Sequence, residues 1–266
     1  MKKNISGLLD VFFKGKTRER INEIAIMLRG GPYGFLADPS YSEDGLVTFH
    51  LAEFMKDPKF MKAYAAGKRT GALRKHPGDI HWRAYVACWA ASRAKHLAGD
   101  FVECGVGRGL LSRTIVEYLD FNGLDKKFWL FDTYSGIPDG VLSEEERRRG
   151  IRNELFGYDD SYSAVKETFS GFSNVQIVQG IVPESLAGQP IDRVSYLSID
   201  MNNAASEIAA ISFFWDKLVA GAVVVLDDYA YSPAFLAQHK AFNEFCSSKG
   251  VCVLALPTGQ GLIIKP

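Results

Sequence analysis

From residue 100 onward, apolar runs of strand length alternate with longer helical patterns, and that alternation leaves few folds open. The runs are Asp100-Phe-Val-Glu-Cys, Phe128-Trp-Leu-Phe-Asp132, Val175-Gln-Ile-Val-Gln179, Val194-Ser-Tyr-Leu-Ser-Ile-Asp200 and Ala222-Val-Val-Val-Leu-Asp227. They are continuously apolar and rich in β-branched residues, which predicts strands buried on both faces in a parallel sheet flanked by helices. The helices are expected over Leu110 to Phe121, Ser161 to Phe169, Ala204 to Leu218 and Pro233 to Lys249. The ending differs. Val251 to Leu256 and Leu262 to Lys265 flank Pro257-Thr-Gly-Gln-Gly261, a loop too short for a helical crossover, so the last strand must run antiparallel in a hairpin. The expected architecture is α/β: a doubly wound, mostly parallel seven-stranded sheet closed by that hairpin.

Residues 1–97 lack this alternation and read as mostly helical, with a break at Gly30-Gly-Pro-Tyr-Gly34. Ile80 to Leu97 is an expected helix with aromatic and apolar residues on one face, stopped by Gly99. The domain reading is a helical cap or oligomerisation region over 1–97 and a ligand-binding domain over 98–266. A cap over the sheet's ligand edge and a homodimerisation arm both fit the first region. A lid insertion is expected at about 138–160, where Ser143-Glu-Glu-Glu-Arg-Arg-Arg149 has an N-cap, acids in its first turn and bases in its last. A solvated helix is the plain reading of that stretch; a substrate-recognising arginine among 147–149 is the sharper one.

The sequence Phe101-Val-Glu-Cys-Gly-Val-Gly-Arg-Gly109 narrows the ligand. Gly105, Gly107 and Gly109 after an apolar strand make a turn that a ligand can approach closely. The dinucleotide fingerprint requires a third glycine at 110, where Leu110 stands. Glu103, two residues before the first glycine, would repel a pyrophosphate and suits a cationic amino-acid end.

Composition excludes other classes. Apolar residues make up 47% and charged residues 23%, and 31 Lys plus Arg balance 31 Asp plus Glu. Such a surface carries no field for nucleic acid or an anionic membrane as a partner. No apolar run is long enough for a transmembrane helix, and no signal peptide is read behind Lys2 and Lys3, so a cytoplasmic location is expected. Cys88, Cys104, Cys246 and Cys252 are scattered in apolar contexts without metal-ligand spacing, which predicts buried, reduced thiols.

In open α/β sheets, ligands lie beyond the carboxyl ends of the strands. Four of the five strands end on or near an acid there: Glu103, Asp132, Asp200, and Asp227 with Asp228, while Gly180 follows the third. Buried strand ends are costly places for uncompensated carboxylates, so cations or several donors should meet them. Asp200, Asp227 and Asp228 offer three hard oxygen ligands that suit Mg²⁺.

The glycine turn and the closing hairpin resemble class I S-adenosylmethionine (SAM)-dependent methyltransferases. Leu197-Ser-Ile-Asp-Met-Asn-Asn203 with Leu226-Asp-Asp-Tyr229, Glu103 to Gly109, Phe131-Asp-Thr-Tyr-Ser-Gly-Ile-Pro138, and Val165 to Phe169 leading to Gly180 resemble the macrocin O-methyltransferase family over roughly residues 99–230. The resemblance implies methyl transfer from SAM to a hydroxyl of a small molecule, with Mg²⁺ on Asp200, Asp227 and Asp228. It implies cofactor contacts from Glu103, Gly105, Gly107, Arg108, Gly109, Ser112, Asp132, Thr133, Gln179, Gly180 and Asp200. Backbone donors around Gly105 to Gly109 would hold the SAM carboxylate, and Asp132 would accept from the ribose hydroxyls.

One departure bears on the mechanism. The family has an aspartate, proposed as general base, where this chain has Asn202, and a neutral amide takes no proton at physiological pH. His81 is the candidate substitute base, with a structural histidine as the alternative; His239 is weaker. Asn202 and Asn203 are candidates for binding metal or substrate, Thr258 and Gln260 for touching substrate, and Trp82, Trp89, Tyr33 and Tyr134 for lining an aromatic pocket. A metal-free N- or C-methyltransferase, and a SAM-binding module without catalysis, stay open.

Overall fold

The computed structural model describes residues 39–76, 78–138, 140–153 and 160–266. The Gly30 to Gly34 break and Tyr33 lie outside them. The chain divides into two compact units, Met1–Glu53 and Phe54–Pro266, rather than at residue 97. In the first unit the described element is a hairpin, β1 (Tyr41–Glu43) against β2 (Leu46–Thr48), within a region read from sequence as mostly helical. Asp44 and Gly45 turn it with φ of 54° and 73°, the left-handed pair that Asp-Gly hairpins favour.

The second unit is a seven-stranded sheet in the order β5-β4-β3-β6-β7-β9-β8. Its strands are β3 (Asp100–Cys104), β4 (Phe128–Asp132), β5 (Val175–Gln179), β6 (Val194–Ile199), β7 (Leu218–Leu226), β8 (Leu254–Ala255) and β9 (Gly261–Ile264). β3 to β7 pair in parallel, and β9 runs antiparallel to both β7 and β8. The expected architecture stands, including the closing hairpin.

Successive residues of the central strands enter opposite cores. Phe101, Phe128, Tyr196 and Val223 pack on one face with α1 (Pro58–Lys68), α2 (His81–Ala94) and α3 (Leu110–Leu119). Val102, Trp129, Leu197 and Val224 pack on the other with α6 (Ala204–Phe214) and α7 (Leu236–Ser248). Burial on both faces is why these strands read as continuous apolar runs rather than alternations. Between them lie the short α4 (Glu144–Arg148) and α5 (Tyr162–Thr168).

α2 is the helix expected near Ile80, but it presents a different face. Its buried side is Ala84, Ala87, Cys88, Ala90, Ala91 and Ala94, while Trp89 is 44% exposed. Small side chains let a helix lie close to the sheet, so alanine rather than aromatic spacing set this contact. α1 and α3 also cross closely, at Gly67, where a Cβ would sit 2.7 Å from the Leu110 carbonyl oxygen. Thus α1 and α2, assigned from sequence to a separate cap, share one unit with the sheet.

All four cysteines are free; Cys88, Cys104 and Cys246 are buried, whereas Cys252 is exposed, contrary to expectation. Burial raises the thiol of Cys246 to about 11, and those of Cys88 and Cys104 further. Among the described residues no helix is long and apolar enough to cross a membrane.

Candidate active site

Sheet register assembles the site. Cys104 pairs with Ile199, and Ile199 with Leu226, so Gly105, Asp200 and Asp227 emerge side by side at the strand ends. The antiparallel pairing of Leu226 with Gly261 brings Gln260 next to Asp227. These ends open into a cavity of about 610 Å³. Its walls include Glu103, Gly105, Gly107, Arg108, Asp132, Thr133, Gly180, Asp200, Asn202, Asp227 and Asp228. Most of the residues expected at the site are therefore together.

The glycine turn departs from expectation in how its amides are used. Asp132 Oδ2 accepts from Val106 N at 2.6 Å and Gly107 N at 2.7 Å, and Oδ1 accepts from Tyr134 N at 2.6 Å. Gly105 N donates to the Phe131 carbonyl and Gly109 N to that of Val106. These donors fasten the turn instead of standing ready for a ligand carboxylate. Asp132 serves first as the turn's anchor; burial raises its pKa, and the same amides oppose the rise. What the turn offers is space: a Cβ on Gly107 would meet nothing within 4 Å.

Glu103 is 2% exposed, and among the described residues no hydrogen-bond donor reaches its Oε2. Burial first, then the charges of Asp200 and Asp227, push its pKa well above the usual carboxylate range, with Ser112 opposing. Ser112 itself is fully buried in the first turn of α3 and does not line the cavity. Gln179 is exposed and spans to the Thr133 carbonyl at 3.3 Å, leaving Gly180 and Ile181 to form the wall.

Asp200, Asp227 and Asp228 each offer an oxygen within 4.8 Å of the others. Burial, then Asp227 and Asp228, hold the Asp200 pKa well above its ordinary range, while Arg83 lowers it. Asn202, at φ 58°, sends Nδ2 to Asp200 Oδ1 at 3.4 Å. Asn203 instead caps α6, accepting from Ser206 N at 2.8 Å and donating to the Met201 carbonyl at 2.9 Å, so its amide is occupied structurally. Thr258 and Gln260 are buried off the cavity; Gln260 Nε2 donates to Asp227 Oδ1 at 2.8 Å.

The expected histidine is misplaced. His81 lies against the Tyr64 ring, 4.3 Å between centroids, and is not on the cavity wall. α2 turns it towards α1, one helical step away from Ile80 and Arg83, which do line the cavity. His239 packs on Tyr229, also off the wall. The histidine on the wall is His76, in a loop that no sequence motif singles out. Its Nδ1 lies 2.7 Å from the Gly78 carbonyl oxygen and also faces Gly78 N–H at 3.3 Å, so the backbone of Gly78 fixes the orientation of the ring. Of the four aromatics considered for the pocket, Tyr134 lines it, Trp82 and Trp89 do not, and Tyr33 lies outside the described residues.

Helix α4, in the stretch expected from sequence as a lid insertion, exposes Arg147, Arg148 and Arg149, but Glu146 is 1% exposed. Its Oε2 accepts from Ser143 N and Oγ, each at 2.7 Å, completing a capping box, and Oε1 accepts from Ala204 N at 2.8 Å. One carboxylate thus caps two helices and ties α4 to the loop carrying Asp200. Replacing Glu146 with Ala should cost about 2–3 kcal/mol, because buried N–H groups lose their acceptor. Chemical denaturation reads the loss, and faster proteolysis within 140–153 would show α4 detaching. An unchanged midpoint would mean the tie does not hold in solution.

The chain is similar to known proteins. The pattern of the family described as Macrocin-O-methyltransferase (TylF) matches residues 78–252. A demethyldecarbamoylnovobiocin O-methyltransferase from Streptomyces niveus is 27% identical over 149 residues, 52% of this chain and 55% of that protein. A mycinamicin III 3''-O-methyltransferase from Micromonospora griseorubida is 23% identical over 62% of this chain and 66% of its own length. The chain thus spans less than two thirds of each of these relatives. The solved O-methyltransferase NovP superposes with a TM-score of 0.60 at 21% identity, covering 69% of this chain and 79% of that one, which shows a shared fold. With most of its length matched by the family pattern, the chain belongs to the macrocin O-methyltransferase family.

Proposed function

We propose that this protein transfers a methyl group from SAM to a hydroxyl of a small molecule, with Mg²⁺ at Asp200, Asp227 and Asp228. The acceptor class is a natural-product sugar hydroxyl, the substrate type that the relatives' names suggest, presented as a vicinal diol, or a catechol-like ring. The observation that carries this reading is one cavity receiving both Glu103 and the three-aspartate cluster, in a chain of this family.

The residues fit both groups. Among the described residues no donor reaches the buried Glu103 Oε2, which a ligand ammonium would satisfy. Arg108 lines the same cavity and suits a carboxylate end, in place of the amides committed within the turn. Asp132 and Thr133 stand where ribose hydroxyls would lie, and Gly180 with Ile181 offers the adenine edge. When bound, SAM supplies a sulfonium methyl, an electrophile needing no further activation. Three converging carboxylates, met by Arg83 at Asp227, present hard oxygen ligands, the donor set Mg²⁺ takes. When bound, Mg²⁺ supplies fixed positive charge that lowers the pKa of a nearby hydroxyl.

The chain's own groups orient and hold the proton. Asn202 cannot take one, but its amide restrains Asp200. His76 is the imidazole placed on the wall to accept the hydroxyl proton, in preference to His81. Ile137, Ile151 and Phe235 pack as one apolar cluster on the lid side and help exclude water.

Calorimetric titration of the protein with SAM, in Mg²⁺ and after chelation, tests this. The expected result is micromolar binding in both buffers, followed by Mg²⁺-dependent turnover with diol or catechol acceptors. Absence of binding would overturn the methyltransferase reading. Chelator-insensitive turnover would move the reading to metal-free transfer, and binding without turnover on any acceptor would favour a SAM-binding module.

A further inference from the structure

Arg83 belongs to none of the motifs in the sequence, yet its side chain reaches the centre of the acidic cluster. It projects from the first turn of α2, its guanidinium carbon 5.0 Å from the centroid of the Tyr231 ring. Nη1 donates to Asp227 Oδ2 at 2.5 Å, and the two side chains are 11% and 1% exposed. Gln260 closes the arrangement, with Nε2 2.8 Å from Asp227 Oδ1 and 3.4 Å from the Arg83 carbonyl oxygen. Both oxygens of Asp227 therefore already accept hydrogen bonds, one of them from a cation.

We propose that Arg83 is a resident counter-ion of the three-aspartate cluster that competes with the divalent cation for Asp227 and so sets its affinity. This rests on the metal reading above. The cluster brings three carboxylates together, and the Arg83 guanidinium is a cation that meets them at Asp227. A cation that binds these carboxylates must either displace Arg83 from Asp227 Oδ2 or sit beside its positive charge. Either route weakens binding, since a guanidinium stays protonated under all working conditions and cannot yield by losing its charge. Gln260 is neutral and holds Asp227 in position without competing electrostatically. Because Arg83 and Tyr231 both line the cavity, cation occupancy would also reshape the wall that faces the acceptor.

The test uses full-length, chelator-stripped protein without SAM or acceptor, titrated calorimetrically with Mn²⁺ and with Mg²⁺. Arg83→Met and Arg83→Gln should each bind Mn²⁺ about tenfold or more tighter than wild type, because a nearby positive charge in a poorly solvated site is gone. Arg83→Lys, which keeps the charge, should stay within about threefold of wild type. Thermal melts of the same samples should show a larger metal-induced rise for the two neutral variants, a readout independent of activity. Equal or weaker metal affinity in both neutral variants would overturn the proposal, since a purely structural ion pair would not raise affinity on removal. No metal heat from wild type or any variant would overturn it together with the metal reading. SAM titration of the same preparations then keeps the methyltransferase reading separate, and metal binding by the neutral variants alone would support exclusion by Arg83.

Discussion

Replacing Asp200 with Asn is expected to remove methyl transfer by about a thousandfold or more, about 4 kcal/mol of transition-state stabilisation, while SAM binds within about threefold of wild type. The substitution keeps the side chain's shape and removes one charge at the end of β6. Asp227 retains Arg83 and Gln260, so the rest of the cluster has partners that hold it. Glu103, Arg108 and Asp132, the groups proposed to meet the cofactor, belong to β3, β4 and the turn between β3 and α3. Loss of activity with retained SAM binding would separate the two halves of the cavity.

The same variant should be more stable than wild type in chelator, by about 1–2 kcal/mol, because a buried carboxylate no longer faces two others. Two measurements decide it: turnover in Mg²⁺ and a melting curve in EDTA. Undiminished turnover would remove the cation from the mechanism. A lower melting temperature would mean that the empty cluster is favourable as it stands, and that Arg83 neutralises more of it than charge counting suggests.

What the sequence disclosed and what it withheld follow from the range of the interactions. Strands such as Ala222 to Leu226 announce themselves because burial on both faces leaves a continuous apolar run, and the short loop at Pro257 to Gly261 dictates a reversal. Acids at strand ends were legible because a parallel sheet gathers its carboxyl ends on one edge. Arg83 and Asp227 are 144 residues apart, and nothing local in either segment records their pairing. His81 and His76 show a second limit: His81 opens α2, whose rotation turns it away from the cavity, while His76 lines the cavity from the loop before that helix. The alanine face of α2 misled in the same way, since tryptophan and tyrosine draw notice while alanine makes the contact. Amide donors at a glycine turn are visible in sequence, but their prior commitment to Asp132 appears only once the fold places β4 beside β3.

Replacing Gly105 with Ala should damage fold and site together. Gly105 has φ 90°, and a Cβ there would lie 1.8 Å from the Asp200 carbonyl oxygen and 2.4 Å from its carbon. Neither neighbour can move aside: Gly105 N donates to Phe131 O at 2.8 Å, and Asp200 N donates to Cys104 O at 2.8 Å. The methyl must push β3 and β6 apart where their ends present Glu103 and Asp200, and the backbone must hold a conformation costly for any L side chain. We expect a loss of about 3–5 kcal/mol, or roughly 10 °C in melting temperature, with SAM affinity falling below detection. Gly107→Ala supplies the contrast. Its Cβ enters open space, so only the strain of φ 56° remains, about 1 kcal/mol. That variant should melt within a few degrees of wild type yet bind SAM more weakly, because the methyl occupies room at the cavity wall. If Gly105→Ala melted with wild type and bound SAM normally, the close approach of β3 and β6 would not exist in solution. If Gly107→Ala also bound SAM unchanged, the cofactor would not approach the turn from that side.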